Sequence, residues 1–177
     1  MASVVFFRAV NVGGHQRFQP SQLAKELAQF GVVNLGAAGT LVVREQVSPA
    51  TLRAAILRHL PFTPELMICP AADVLALARG DWFRDASAEP GLTRFVSVLA
   101  QTPRTSPPLP HDEPAAGEWA IRLLAITGQF VLSVRRPDAP YSNAVVEKLL
   151  GLPATTRNWN TIEGICKILQ PQTTGTA

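Results

Sequence analysis

The stretch SVVFFRAV, residues 3–10, decides how the chain begins to fold. It is a short run of β-branched and aromatic residues, which predicts a buried strand, and the glycines of the following NVGG predict a turn. The next stretch, PSQLAKELAQFG at residues 20–31, places Leu23, Leu27 and Phe30 at helical spacing and ends at a glycine. A strand followed by an amphipathic helix therefore opens the chain.

The alternation of strands and helices continues to residue 69. The segments VVNLG and TLVVRE predict two short strands around a turn of small residues. Ser48 and Pro49 then start a second helix, whose buried face carries Leu52 and Ile56. Because ELMIC predicts a further strand, the element order is βαββαβ. This order predicts an α+β fold with a ferredoxin-like unit at residues 1–79, in which both helices cover one face of an antiparallel sheet.

Residues 80–177 predict a second α+β unit with antiparallel strands. TRFVSVLA is one expected strand, and EWAIRLLAI and QFVLSVRR form a hairpin around a Thr-Gly turn. The proline-rich segment 102–117 is unsuited to a helix or a central strand and predicts a surface loop. Helices are expected at SNAVVEKLLG and, with an apolar stripe from Ile162 to Leu169, near the carboxyl end.

Composition narrows the class of protein. The 177 residues are 47% hydrophobic and 16% charged, which predicts a globular protein with a large core. The net charge is only +3, and the longest basic run is the pair Arg135 and Arg136, so strong nucleic-acid binding is not expected. Cys69 and Cys166 lie in apolar segments without a zinc or redox spacing, which favours reduced thiols and a cytoplasmic location. No motif predicts a metal site or a cofactor.

The first candidate site is FFRAVNVGGHQR, at the end of the first strand. Gly13 and Gly14 allow the backbone to approach a ligand closely, and Arg8 and Asn11 supply hydrogen-bond donors beside them. An anion site is one interpretation. The other is an ordinary strand ending in a turn, since the loop has neither the P-loop lysine nor the dinucleotide glycine spacing.

The second candidate site is TTRNWNT, residues 155–161. Arg157 offers a planar fork of donors, Trp159 a stacking face, and Asn158 and Asn160 both donors and acceptors, a set that suits a planar or anionic ligand. The alternative is structural. One of the asparagines or Thr161 then caps the last helix, while the tryptophan packs and the arginine pairs with a carboxylate.

Both candidate sites carry a resemblance to a known family. Through RAVNVGG and EKLLGLPATTRNWNTIEGICKIL, the chain resembles, over nearly its whole length, the bacterial family catalogued as domain of unknown function 1697 (DUF 1697). The resemblance implies an α+β fold with ferredoxin-like halves, a cytoplasmic location and no particular reaction. The residues that match the two signatures are Arg8, Asn11, Val12, Gly13, Gly14, Thr156, Arg157, Asn158, Trp159, Asn160 and Thr161.

The chain also departs from the family pattern. Ala9 stands where the family usually has glycine, His15 where a basic residue such as lysine is frequent, and residues 38–40 read Ala-Gly-Thr where the family has Ser-Gly-Asn. The changes at residues 38–40 remove a hydroxyl and an amide group. If that turn forms part of a ligand site in the family, this protein binds differently or has lost the activity.

The leading functional hypothesis is a binding protein, or an enzyme of unassigned reaction, that recognises a small anionic or planar ligand such as a nucleotide or a phosphorylated metabolite. The ligand is expected in a cleft between the two halves, near Arg8 and Arg157. Capping alone does not require an arginine and a tryptophan together, which favours this hypothesis. The alternatives are a nucleic-acid or protein interaction module that acts through a sheet face or strand edge, and a protein that acts through its oligomeric surface.

Overall fold

The computed structural model describes residues 1–10, 17–139 and 143–170. The chain groups into two compact units. Unit 1 contains Met1–Ala78 and the chain from Asn160 onward, and unit 2 contains Arg79–Trp159. Each unit combines helices with an antiparallel sheet, so the α+β class predicted from the sequence is confirmed.

Unit 1 has the predicted order of elements. Its strands form one antiparallel sheet in the order β2-β3-β1-β4, and the βαββαβ order of this sheet and its first two helices is that of a ferredoxin-like unit. The elements are β1 (Ser3–Arg8), α1 (Pro20–Glu26), β2 (Val32–Asn34), β3 (Thr40–Val43), α2 (Pro49–Arg58), β4 (Glu65–Pro70) and α3 (Ala71–Ala78).

The core of unit 1 lies between this sheet and its first two helices. Leu23 and Leu27 from the first helical segment and Leu52 and Ile56 from α2 are all at most 2% exposed, which confirms the predicted buried faces. They pack in one cluster with apolar side chains of β1 and β3. Helix α2 also begins as predicted, because Ser48 Oγ accepts the backbone N–H of Thr51 at 3.0 Å.

Unit 2 contains the second sheet. All its pairings are antiparallel, in the order β6-β7-β8-β5-β9. The elements are β5 (Thr93–Leu99), β6 (His111–Glu113), β7 (Ile121–Thr127), β8 (Phe130–Arg135), α4 (Asn143–Leu150) and β9 (Ala154–Asn158), and the chain then continues into α5 (Trp159–Leu169). Helix α4 buries Val146 and Leu150 against one face of the sheet, with Leu99, Leu123 and Val131.

Two strands of unit 2 were not predicted. Strand β6 lies inside the segment 102–117 that was predicted to be a loop, and β9 occupies 154–158, where no strand was assigned. Both are at the edges of the sheet. Their sequences, HDE and ATTRN, are too short and too polar for an apolar alternation to show, so pairing with β7 and β5 decides their conformation.

The last helix does not belong to the unit expected from the sequence, which divides the chain at residue 79. Helix α5 groups with unit 1 from Asn160 onward. In that unit Arg44 donates from Nη2 to the carbonyl of Ile168 at 3.3 Å, and a β-carbon at Gly164 would lie 3.1 Å from Leu35 Cδ2. Such contacts join segments far apart in sequence, and no local pattern signals them. Within the described ranges, none of the helices combines the length and the apolar character needed to cross a membrane.

Candidate functional site

Arg8 lies at the carboxyl end of β1, as predicted, but its guanidinium forms an ion pair with a carboxylate of the protein itself. Its Nη1 donates to Glu65 Oε2 at 2.5 Å, and the two residues are direct neighbours in the register between β1 and β4. The pair is a cross-strand ion pair at the surface, with the side chains 29% and 52% exposed. The other predicted residues of this site, Asn11, Gly13 and Gly14, lie outside the described residues.

Arg157 is a buried residue of β9. It is 7% exposed, and its Nη1 donates to Thr155 Oγ1 at 2.8 Å and to the carbonyl of Thr156 at 2.9 Å. Its register partner in β5 is Val96, which is fully buried, so the two side chains share one face of the sheet. Burial lowers the pKa of the guanidinium to about 10, so that it stays protonated at neutral pH.

The rest of the TTRNWNT stretch alternates between buried and exposed side chains. Trp159 is 6% exposed, and its ring meets the ring of Phe83 edge to face, with 5.0 Å between the centroids and 71° between the planes. Asn158 and Asn160 are exposed. The packing of Trp159 agrees with the structural alternative considered above. A ligand role for these residues, and their convergence with Arg8 on one cleft, stay predictions.

Unit 2 contains a cavity that the sequence did not predict. Its volume is about 510 Å³, within the range of roughly 300–1,000 Å³ that small-molecule sites usually have. Two of its lining residues are tryptophans, and we call it the tryptophan cavity. Its lining residues are Trp82, Asp85, Ala86, Glu89, Pro90, Leu92, Pro110, Trp119, Arg122, Leu124 and Val134.

A bulge in β7 shapes one wall of this cavity. The register with β8 shifts between Leu123 and Ala125, which leaves Leu124 as an extra residue in the strand. Leu123 is buried in the cluster beneath α4, whereas Arg122 and Leu124 line the cavity on the opposite face. The bulge therefore belongs to the wall of the site.

Trp119 is held in place by Arg122. The guanidinium carbon of Arg122 lies 4.5 Å from the centroid of the Trp119 ring, and Trp119 is 7% exposed. Asp112 in β6 in turn holds Arg122, accepting from Nε at 2.5 Å and from Nη2 at 2.8 Å. The hydrogen bond from Arg122 lowers the pKa of the Asp112 carboxyl, and the same bond raises the pKa of Arg122. The pair therefore stays charged over a wide range of pH.

Arg136 supports the same tryptophan. Its guanidinium carbon also lies 4.5 Å from the Trp119 centroid. Its Nη1 donates to Glu118, and its Nη2 lies 3.3 Å from Glu89 Oε1. Because two arginines that are themselves ion-paired pack on Trp119, contacts within unit 2 fix the position of this wall.

Sequence reasoning missed the residues of this cavity for a physical reason. Trp82 lies in a polar link, Trp119 falls within the predicted strand EWAIRLLAI, and neither position belongs to a motif. The pairing of Asp112 with Arg122 depends on the register between β6 and β7, which the sequence does not show. The signal in the sequence is that Trp82 lies outside the predicted helices and strands. Across the described residues, no group of three or more His, Cys, Asp or Glu side chains could hold a metal ion.

The fold is that of an α+β protein, and its second unit contains a cavity lined mainly by apolar residues. No model of a protein family matches the chain, and no curated protein matches it. Among solved structures, it is similar to the conserved bacterial protein SP0830 from Streptococcus pneumoniae, over 96% of this chain and 98% of that chain, with a TM-score of 0.58 and 19% identity. At that identity the similarity shows a shared fold alone.

Proposed function

We propose that this chain is a small-molecule binding protein and that the tryptophan cavity is its ligand site. The observation that carries the proposal is the preformed cavity of about 510 Å³ with Trp82 and Trp119 among its lining residues. Trp82 is half-buried, whereas Trp119 is 7% exposed and its ring is covered by the guanidinium groups of Arg122 and Arg136, so the stacking surface is that of Trp82. An indole ring offers a large, rigid surface on which a planar ligand can stack with little loss of conformational entropy. We therefore infer a ligand with a planar, largely apolar body.

The charges around this cavity do not favour a polyphosphate. Arg122, the cation of the lining, is engaged by Asp112, and the lining also includes the carboxylates of Asp85 and Glu89. A nucleoside triphosphate would bring several negative charges next to these carboxylates. The proposal thus keeps the planar ligand expected from the sequence and places it in unit 2.

We also infer that the chain is a diverged cytoplasmic member of the DUF 1697 family. The RAVNVGG and TTRNWNT signatures support this inference, as does the α+β fold. The backbone at Ala9 gives further support. Its φ is +55°, a conformation that favours glycine, and glycine is the residue the family usually has there.

The proposal is tested by screening a panel of neutral planar heteroaromatic fragments with saturation-transfer NMR, a method suited to the weak binding of fragments. We expect at least some of the panel to bind the wild-type chain. Trp82→Ala should abolish this binding because it removes one wall, whereas Trp82→Phe should retain most of it because an aromatic surface remains. Fragment binding that is unchanged in Trp82→Ala would contradict the proposed site. The same conclusion would follow if no fragment bound the wild-type chain.

A further inference from the structure

A second, smaller cavity adjoins the tryptophan cavity. We call it the side cavity; its volume is about 270 Å³. The two cavities share the lining residues Ala86, Glu89, Pro90, Leu92 and Val134. The side cavity adds Phe83, Gly91 and Arg94, which do not line the larger one.

The strand register explains why the cavities are adjacent. Val134 in β8 pairs with Arg122 in β7 on one side and with Arg94 in β5 on the other, so the three side chains form a row on one sheet face. Neighbouring strands are about 4.8 Å apart, which puts the two arginine backbones roughly 10 Å apart. A ligand that spans both cavities is therefore the size of an ordinary aromatic metabolite.

Arg94 differs in its charge environment from Arg122 and Arg136, the two arginines that pack on Trp119. Arg122 is paired with Asp112, and Arg136 with Glu118 and Glu89. Within the part of the chain that the structure describes, Arg94 has no carboxylate at ion-pair distance. Its positive charge is therefore available to a ligand.

The aromatic residues beneath Arg94 hold its guanidinium at the side cavity. The guanidinium carbon lies 5.6 Å from the centroid of the Phe83 ring, and the Phe83 ring in turn meets Trp159 edge to face. A guanidinium that lies over a ring keeps its in-plane N–H groups for oxygen acceptors. Trp159 of the TTRNWNT stretch is thus a positioning residue, because it packs against Phe83, which in turn contacts the guanidinium of Arg94.

Glu89 does not cancel this cation. Its carboxylate lines both cavities, but Arg136 Nη2 lies 3.3 Å from it and offsets its charge. An anionic group beside Arg94 therefore meets one cation without a carboxylate partner among the described residues and one carboxylate whose charge Arg136, shared with Glu118, offsets in part.

We propose that the ligand of the tryptophan cavity carries an acidic group, a carboxylate or a phosphate, which Arg94 binds in the side cavity. This inference rests on the proposed function and names its ligand class: a planar aromatic acid. The body of the ligand stacks on Trp82 in the larger cavity, and the acid accepts hydrogen bonds from the guanidinium of Arg94. Recognition by a single exposed arginine fits a singly acidic ligand better than a nucleoside polyphosphate.

The test uses a matched pair of planar probes, cinnamate and its neutral amide, cinnamamide. Dissociation constants are measured by saturation-transfer NMR titration for the wild-type chain, for Arg94→Gln and for the control Arg104→Gln, which changes an exposed arginine outside both cavities. We expect the wild-type chain and the control to bind cinnamate about threefold or more tightly than the amide. Arg94→Gln should remove that preference and leave the affinity for the amide unchanged.

The outcomes separate the two proposals. Equal affinities of the wild-type chain for both probes, or an acid preference that survives Arg94→Gln, would overturn the role of Arg94 while the cavity remains a binding site. If Arg94→Gln weakened the binding of cinnamate and cinnamamide equally, the proposed role of Arg94 would also be overturned. Arg94 would then maintain the shape of the site and not bind the acid. Failure of both probes to bind a wild-type chain that does bind fragments of the neutral panel would overturn the acid site alone. Failure of the panel as well would contradict the role of the cavity as a binding site.

Discussion

The indole ring of Trp82 lies directly against the backbone of Gly80. A β-carbon at Gly80 would lie 2.1 Å from Cε2 and 2.2 Å from Nε1 of that ring. Real β-carbons do not approach so closely, so no side chain fits at residue 80 while Trp82 keeps its position. Because Trp82 lines the tryptophan cavity, Gly80 positions one of its walls.

Gly80→Ala should therefore displace Trp82 and weaken the binding of planar probes. We expect a loss of stability of about 1–3 kcal/mol from the steric conflict, together with a change in tryptophan fluorescence. The measurements are chemical denaturation and a probe titration. In a Trp82→Ala background the ring is absent, so Gly80→Ala should have little further effect. Additive losses in the double variant would show that the two residues do not interact as described.

Ala9→Gly should stabilise the protein. Ala9 has a φ of +55°, in the left-handed region that alanine adopts at a cost of about 1–2 kcal/mol. Glycine removes this strain but adds freedom to the unfolded chain, so we expect a net gain of about 0.5–1 kcal/mol in the free energy of unfolding. Ala115→Gly, at an exposed residue whose φ is not positive, serves as the control and should bring no gain. A loss of stability in Ala9→Gly would contradict this conformation.

Gly39→Ala should be among the more damaging substitutions in unit 1. Gly39 has a φ of +70°, and a β-carbon there would lie 2.8 Å from Phe7 Cβ. Its carbonyl accepts the backbone N–H of Phe7 at 2.9 Å, which ties the turn to β1. We expect a loss of about 2–4 kcal/mol, measured by urea denaturation. Gly36→Ala, at a φ of +78° with open space around it, should cost only about 1 kcal/mol. Equal losses of stability in the two variants would show that the backbone strain at positive φ causes the loss and that the close approach to Phe7 does not contribute.

Arg157→Ala should destabilise unit 2. The side chain is 7% exposed and donates hydrogen bonds to Thr155 Oγ1 and to the carbonyl of Thr156, so its replacement by alanine leaves a cavity and removes these two hydrogen bonds. We expect a loss of about 2–3 kcal/mol in the free energy of unfolding. Arg104→Ala, at an exposed residue, should stay within about 0.5 kcal/mol of the wild-type value. If Arg157→Ala changed stability as little as this control, the arginine would be free for recognition at a surface.

Asp112→Asn should reduce stability in a pH-dependent way. The hydrogen bond from Arg122 lowers the pKa of the Asp112 carboxyl in the folded state. The stabilisation is therefore complete above the unfolded value of about 3.9 and is lost as the pH falls through the lower folded pKa. Denaturation at about pH 6 should show a loss of about 1 kcal/mol or less for the variant, shrinking toward about pH 3. A loss that stayed constant over this range would show that the charge of Asp112 is not its cause.

The parts of the fold that the sequence predicts are those that depend on interactions between residues close together in the chain. The βαββαβ order of unit 1 was readable because its signals are local. Leu23 and Leu27 share a helix face, and Ser48 and Pro49 mark a helix start whatever surrounds them. The TTRNWNT stretch was also identified, but its polar composition did not show that Arg157 lies on the buried face of an edge strand.

The sequence by itself determined the α+β class, the start of α2 and the buried leucines of the unit 1 helices, because each of these follows from residues within one or two turns of each other. It did not determine the end of α1, which lies at Glu26 and is followed by a 3-10 helix at Ala28–Phe30 instead of continuing to Gly31. Only the tertiary structure decided the tryptophan cavity. Its walls come from the segment around Trp82, from Trp119 and from the sheet, and the register that pairs Asp112 with Arg122 and aligns Arg94 with Val134 arises from the packing of strands distant in sequence. A shift of one residue would move those side chains to the other face, and nothing in the local sequence specifies that choice.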